Sequence, residues 1–289
     1  MATGEHLLAA RSYARASESF RQAITLRLDD ARAHAQFAVA LLHLKKLEEA
    51  AREIEIALKI EEEDAYFHYL SGAIALASNH WTQAYLSVTQ AVSLQPLDAS
   101  YHAMLASVLH IYCIRMPQDR PMMQKAEAAA RRALELTPDN AETHRVLGHL
   151  LTIDGRKSEA RAHFETALSL NPESAPGHNS LGQHLLWHGG DSQSALEHIE
   201  ESLRHNPNDR WVQNTLPIAR VWNATLGHIP RWLHKPLGIA ILLLFGGWVL
   251  GTGWHILSKI PNPARTVILL GFGLILKVLN DCLEQSRRS

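Results

Sequence analysis

Cysteine is scarce in this chain: the 289 residues contain only Cys113 and Cys282, which lie far apart. Disulfide-rich secreted domains need many paired cysteines, so this usage favours a reducing compartment. The net charge of −1 excludes a general attraction to nucleic acid or to anionic lipid. Residues 1–15 are polar and alanine-rich without an apolar stretch, so we expect no signal peptide there.

Catalytic motifs are also missing. We predict no β-strands, and the chain contains no dinucleotide-binding GxGxxG after a strand, no P-loop and no GxSxG. The acidic run Glu61–Asp64 follows a predicted helix, which is typical of a solvated surface. We therefore predict that the protein is not an enzyme and uses no cofactor.

What the sequence does contain is a helix-turn-helix unit, seen most clearly in residues 141–174. Leu147 and Gly148 lie in its first helix, and Gly155 marks the turn. Pro172 closes the unit because proline cannot continue a helix. One stripe of the second helix carries small and aromatic residues at i, i+4 and i+7: Ala160, Phe164 and Ala167.

This unit resembles the tetratricopeptide repeat, a family of paired-helix repeats 34 residues long. It departs from the usual pattern at His144 and Leu151, where the family commonly has tryptophan and tyrosine. The same register, carried along residues 1–209, gives six repeats: about 1–30, 31–64, 65–98, 99–140, 141–174 and 175–209. The resemblance implies an all-α solenoid, and we expect residues 210–232 to form a capping helix and linker, kinked by Pro217 or beginning near it.

The fourth repeat, 99–140, is longer than the 34-residue repeats beside it by roughly eight residues, about two helical turns. We place the extra residues in a long loop over residues 113–124, because Pro117 and Pro121 interrupt a helix. Such a loop is either functional or a tolerated surface insertion.

Composition changes sharply after the repeats. Residues 237–257 contain no charged side chain and span about 30 Å as a helix, which matches a bilayer core. Trp232 precedes this run and Trp254 lies near its end, as interfacial anchors would. A second apolar run covers about 264–280. We predict a membrane hairpin over residues 233–280 and a polar tail over 281–289, with an interfacial or re-entrant helix as the alternative for the second run.

Small residues and flanking charges indicate how the predicted hairpin packs and which way it is oriented. Gly247 and Gly251 have GxxxG spacing, and Gly271 and Gly273 lie in the second run. They allow close helix packing, either within the hairpin or between copies in a homo-oligomer. Basic residues before the first span and after the second place the repeats on the cytoplasmic side.

The 18 histidines invite a metal hypothesis, and five of them recur at the fourth position of successive repeats: His34, His68, His102, His144 and His178. Neighbouring helices pack about 8–10 Å apart, too far for equivalent histidines to share one zinc ion. His184 and His188 are four residues apart, but HLLWH lacks the glutamate of HExxH. We predict helix packing for these histidines and no metal site.

The resemblance also implies a concave groove that binds protein or peptide partners. The groove positions of the family correspond here to Tyr66, Tyr69, His110, Arg145, His149, Asn179, Gln183 and Trp187. The Lys, Arg and Asn clamp of the chaperone-binding subfamily is absent. This apolar and aromatic lining favours an amphipathic helix or an extended peptide, although the chain's own terminal helix or another protomer could fill it.

Together these features predict a membrane-anchored scaffold that recruits or assembles protein partners and does not bind nucleic acid. The alternative is a docking subunit of a transporter, secretion or envelope-synthesis complex in the membrane.

Overall fold

The computed structural model describes residues 2–189 and 191–226, and all regular elements in this part of the chain are helical. The predicted all-α fold is therefore confirmed for the described residues. The helices form pairs followed by one more helix: α1 Ala2–Ala9 and α2 Tyr13–Leu26, α3 Ala31–His43 and α4 Leu47–Ile60, α5 Ala65–Ala77 and α6 Trp81–Leu94, α7 Ala99–Arg115 and α8 Arg120–Leu136, α9 Ala141–Ile153 and α10 Lys157–Leu170, α11 Ala175–His184 and α12 Ser192–His205, and α13 Arg210–Leu226. A π-helical turn, Leu185–Gly189, extends α11.

Each helix from α1 to α12 packs on its neighbours in sequence, so the core is a layer that runs along the array. The two helices of a pair meet closely where a small residue faces a large one. At Gly148 a Cβ atom would lie 2.6 Å from the ring of Phe164, so only glycine allows this approach. Gly4 faces Phe20 in the same way in the first pair. Packing against neighbours in this manner is what defines a helical solenoid.

From the second pair onward, the first helix of each pair begins with a capping side chain. Asp30 accepts a hydrogen bond from the backbone N–H of Ala33 at 2.9 Å. Because the first N–H groups of a helix lack partners within the helix, such a cap stabilises by about 1 kcal/mol. Equivalent caps are made by Asp64, Asp98, Asn140, Ser174 and Asp209.

The turns inside several pairs use left-handed backbone. Gly155 has φ +86°, and the equivalent residues of the first three pairs are Arg11, Lys45 and Asn79, with φ of 55°, 63° and 60°. Side chains other than glycine rarely adopt this conformation, and asparagine tolerates it best.

The long loop predicted in the fourth repeat is wrong. α7 continues to Arg115 and α8 begins at Arg120, so both helices reach 17 residues, against 13 and 14 in the second pair. Pro121 fits in the first turn of α8, where its missing N–H costs nothing. Asp119 caps α8 and accepts a hydrogen bond from the Tyr112 hydroxyl at 2.7 Å.

A helix follows the last pair where the capping helix was expected, but the alternative that it starts near Pro217 is wrong. α13 spans Arg210–Leu226, and Pro217 lies inside it. Asp209 accepts hydrogen bonds from the N–H groups of Trp211 and Val212, which starts the helix early. Val212 and Ala219 are fully buried on either side of the proline, and their packing favours one continuous helix.

The rest of the C-terminal interpretation lies outside the described residues. This applies to the linker beyond residue 226, the hairpin over 233–280, the tail over 281–289 and the expected membrane residues Trp232, Gly247, Gly251, Trp254, Gly271 and Gly273. Within the part that the structure does describe, no helix combines the length and the apolar composition needed to cross a bilayer.

Candidate binding groove

The groove candidates of the third pair form a cluster of tyrosines. The rings of Tyr66 and Tyr69 on α5 are 6.4 Å apart and nearly parallel, and Tyr69 lies 5.2 Å from Tyr101 on α7. Burial raises the pKa of Tyr69, and it raises the pKa of Tyr101 to about 12. All three phenols therefore stay neutral and offer ring faces with hydroxyl groups. Tyr101 was not among the predicted residues, because it becomes a neighbour of Tyr69 only when α5 and α7 pack.

Two predicted histidines meet between the fourth and fifth pairs. The rings of His110 and His149 stack with centroids 5.1 Å apart, and the Phe164 ring meets His149 edge-on at 5.0 Å. Burial lowers the pKa of His110 to about 4 and that of His149 to about 3. Both imidazoles are thus neutral at physiological pH and act as aromatic surface rather than as cations.

The hydrogen bonds of His149 fix its tautomer. The Ser180 hydroxyl donates to the Pro176 carbonyl at 2.8 Å, so it accepts from His149 Nε2–H at 2.9 Å. The proton on Nε2 leaves Nδ1 as the acceptor of the ring. This bond joins the fifth pair to the sixth.

The remaining candidates add polar groups that are already satisfied. Arg145 donates from Nε and Nη2 to the two carboxylate oxygens of Glu142, at 2.8 and 2.5 Å. Gln183 donates to Asn179 Oδ1 at 2.8 Å on α11. Trp187 on the π-helical turn is 44 % exposed. The predicted residues therefore line successive first helices with neutral rings and an internally paired arginine.

The recurring histidines also bond the backbone, a role that their sequence pattern did not predict. Each Nε2 bonds the backbone carbonyl six residues earlier, in the turn before its own helix. The five pairs are His34 with Leu28 at 3.2 Å, His68 with Glu62 at 2.8 Å, His102 with Pro96 at 3.0 Å, His144 with Pro138 at 3.0 Å and His178 with Pro172 at 2.9 Å. Gln213 makes the same contact with Pro207 at 2.6 Å. The recurrence of histidine at the fourth position of successive repeats was the sequence feature that could have predicted this shared contact.

The second ring nitrogen of three of these histidines bonds the second helix of the same pair. His34 contacts Glu53 at 2.6 Å, His144 contacts His163 at 2.9 Å and His178 contacts His198 at 3.0 Å. Among the described residues, no three or more histidine, cysteine or acidic side chains come together in a way that could hold a metal ion.

The family follows from comparison with known proteins. A tetratricopeptide-repeat family model matches residues 1–66, 123–175 and 154–210, which together make up more than half of the chain. The chain belongs to the tetratricopeptide-repeat family. Proteins of this family bind protein or peptide partners, so the groove is the natural candidate site for this tetratricopeptide-repeat protein.

Relatives of known sequence are much longer than this tetratricopeptide-repeat chain. It is 27 % identical over 204 residues to the human cell division cycle protein 16 homolog, covering 67 % of this chain and 32 % of that protein. The mouse homolog is also 27 % identical, over 197 residues. The chain thus spans about a third of the length of these two relatives.

Solved structures share the fold. The APC/C hetero-tetramer Cut9–Hcn1 aligns with a TM-score of 0.66 at 20 % identity, over 75 % of this chain and 42 % of that one. Pseudomonas aeruginosa pilF aligns with 0.60 at 17 % identity, over 75 % and 94 %. TTC0263 of Thermus thermophilus aligns with 0.57 at 20 % identity, over 66 % and 99 %. Identities this low establish a common fold alone.

Proposed function

We propose that this protein is a scaffold that binds a peptide segment of a partner protein along its groove and holds that partner at a membrane. The observation that carries the proposal is the row of rings on successive first helices, formed by Tyr66, Tyr69, His110, His149 and Trp187. No partner is needed to neutralise this row, since its histidines and tyrosines are uncharged at neutral pH.

The chemistry of the row supports an apolar peptide as the ligand. The charge of Arg145 is paired with Glu142, so it is poorly placed to recognise a free carboxylate. Neutral rings pack well against apolar side chains, and the phenol hydroxyls can still form hydrogen bonds with a peptide backbone. An amphipathic helix or an extended apolar segment satisfies both requirements.

Groove binding is tested by cross-linking the intact chain to its partners in mild-detergent membranes and identifying the linked peptides by mass spectrometry. The test variant carries Tyr69→Glu and Trp187→Glu, which bring charge into the row. The matched control is Leu86→Glu on α6, where leucine is 57 % exposed. We expect the test variant to lose partners that the control retains, with both variants still helical. Equal recovery with both variants would place the partner site elsewhere.

The membrane part of the proposal is supported by the sequence of residues 237–257, which is long enough to span a bilayer and carries no charge. We expect the full chain to stay in the membrane fraction at alkaline pH and the variant Leu244→Arg, Val249→Arg to be released. Release of the unaltered chain would contradict the anchor. Protease added to sealed vesicles then reports on which side the repeats lie.

The docking-subunit alternative is supported by the second apolar run, which a simple anchor does not need. It predicts that integral membrane proteins co-purify with the chain and are lost when residues 233–280 are replaced by an unrelated transmembrane hairpin. The scaffold proposal predicts that such a replacement leaves partner binding intact.

A further inference from the structure

The near-zero net charge of the chain conceals a strong separation of charge. Residues 1–209 contain 27 acidic and 19 basic side chains. Residues 210–280 contain seven basic side chains and no acidic one. The change of sign occurs at Arg210, the first residue of α13. A segment of this composition is attracted to an anionic surface even though the whole chain is not.

α13 is built as the first helix of a further pair. It has the aspartate cap and the contact from its fourth residue to the preceding turn that the other first helices have. Its inner face is buried through Val212, Thr215 and Ala219. No second helix follows it within the described residues, which end at 226.

One flank of α13 is apolar and exposed. At about 100° per residue, Trp211 and Ile218 lie on the same side of the helix, at roughly a right angle to the buried side. Arg210, Asn214 and Pro217 follow next to this flank, on the far side of the helix. Trp211 is 64 % exposed and Ile218 is 39 % exposed. The outer face of a terminal repeat is normally polar, because it has no neighbour to cover it. Here Arg210 and Asn214 are the polar side chains next to Trp211 and Ile218, and neither is acidic.

The covalent chain connects this face to the apolar run. Ten residues, 227–236, separate Leu226 from Leu237. Fully extended, they reach at most about 35 Å. If residues 237–257 enter a bilayer, Leu226 at the end of α13 therefore lies within about 35 Å of its surface. Tryptophan favours the interface, and basic side chains favour anionic headgroups.

We propose that the flank of α13 formed by Trp211 and Ile218 lies in the interface of an anionic membrane, with these two side chains among the upper acyl chains and Arg210 at the phosphates. This inference rests on the proposed membrane anchor and adds a second contact to it. The contact would hold the C-terminal end of the solenoid against the lipid surface.

The test uses the full chain reconstituted into vesicles of phosphatidylcholine, with or without phosphatidylserine. Cys282→Ser removes one native thiol, and Cys113 is buried. An environment-sensitive fluorophore is attached at Ile218→Cys or, as a matched control, at Leu86→Cys, whose leucine is 57 % exposed. With phosphatidylserine present, we expect a lipid-borne quencher to act about threefold or more strongly at position 218 than at position 86.

Other outcomes overturn the proposal. Equal quenching at the two positions means that the face does not touch lipid. Quenching at 218 that is the same without phosphatidylserine removes the anionic recognition. Protection of position 218 that depends on protein concentration in lipid-free amphipol assigns the face to a second copy of the chain.

Flotation of the same unlabelled vesicles separates this inference from the anchor on which it rests. If the chain floats with the vesicles but position 218 stays in water, the anchor stands and only the α13 contact fails. If the chain does not float, the anchor itself fails, and the α13 contact fails with it.

Discussion

The Nδ1 atoms of His144 on α9 and His163 on α10 lie 2.9 Å apart. His144 Nε2 must donate to the Pro138 carbonyl, because a carbonyl only accepts. Its Nδ1 is therefore the acceptor and His163 Nδ1–H the donor. His178 and His198 repeat this arrangement at 3.0 Å. In the second pair, the equivalent partner of His34 is the carboxylate of Glu53.

A first prediction replaces the histidine partner of one pair with the carboxylate partner of another. His163→Glu gives the fifth pair a carboxylate, which attracts a protonated His144, whereas a protonated His163 repels it. We expect unfolding in mild acid to shift to lower pH, by circular dichroism against pH. The control His163→Gln keeps a polar side chain without the charge. The reciprocal change, Glu53→His, is expected to make the second pair more sensitive to acid, and no shift in either variant would contradict this account.

A second prediction concerns His110 and His149, whose buried rings hold folded-state pKa values of about 4 and about 3. The unfolded state, with a pKa near 6.5, binds more protons between about pH 6.5 and these values. Stability is therefore complete above about pH 6.5 and falls as the pH is lowered, by up to about 1.4 kcal/mol per histidine for each pH unit. Urea midpoints at pH 7 and pH 5 measure the loss.

The matched variant for this effect is His110→Phe, which keeps a ring in the stack and removes the titrating group. We expect it to be less sensitive to pH between 7 and 5 than the unaltered chain. His102→Gln serves as the control, since His102 is on the same helix and outside the stack, and glutamine can keep the bond to the Pro96 carbonyl as Gln213 does with Pro207. An unchanged slope in His110→Phe would mean that another group dominates the acid response.

A third prediction tests the closest helix contact. Gly148→Ala places a methyl group 2.6 Å from the Phe164 ring, which forces the two helices apart. We expect a loss of about 1–3 kcal/mol in unfolding free energy, measured by urea denaturation. Adding Phe164→Leu should return part of that stability by making room. If Gly148→Ala were neutral by itself, the contact would be looser than the structure shows.

A fourth prediction uses the left-handed turns. Gly155 has φ +86°, and a Cβ atom added there would meet no other atom within 4 Å, so Gly155→Ala costs conformational energy alone, about 1 kcal/mol. Lys45→Gly at the equivalent turn should act in the opposite direction, because its φ of 63° suits glycine. Thermal unfolding midpoints of the two variants are expected to move apart, and shifts of the same sign would exclude a backbone origin.

Much of the fold could be predicted because the repeat is local. Leu147 and Gly148 indicate the first helix of a pair, and Pro172 indicates where the pair ends. Equivalent residues recur at the same spacing along the chain. The fourth pair was mispredicted because Pro121 can either break a helix or occupy its first turn, and only the capping by Asp119 decides between the two.

The groove was harder to derive because its contacts join different pairs. His110 and His149 stack although they belong to different repeats, and Phe164 reaches His149 from the second helix. Repeat positions indicate which residues face a common side, but ring contacts depend on how successive pairs are rotated. The binding role of these residues stays a prediction.

The longer fourth pair has a consequence for any elongated ligand. An array of identical units looks the same after a shift by one unit, so a rod-like ligand could dock in several offsets. α7 and α8 have 17 residues each, against 13 and 14 in the pairs on either side. Ile114, which is 59 % exposed, lies near the C-terminal end of α7. A ligand that contacts this extension can bind in one register only, because no other described pair has two helices of this length.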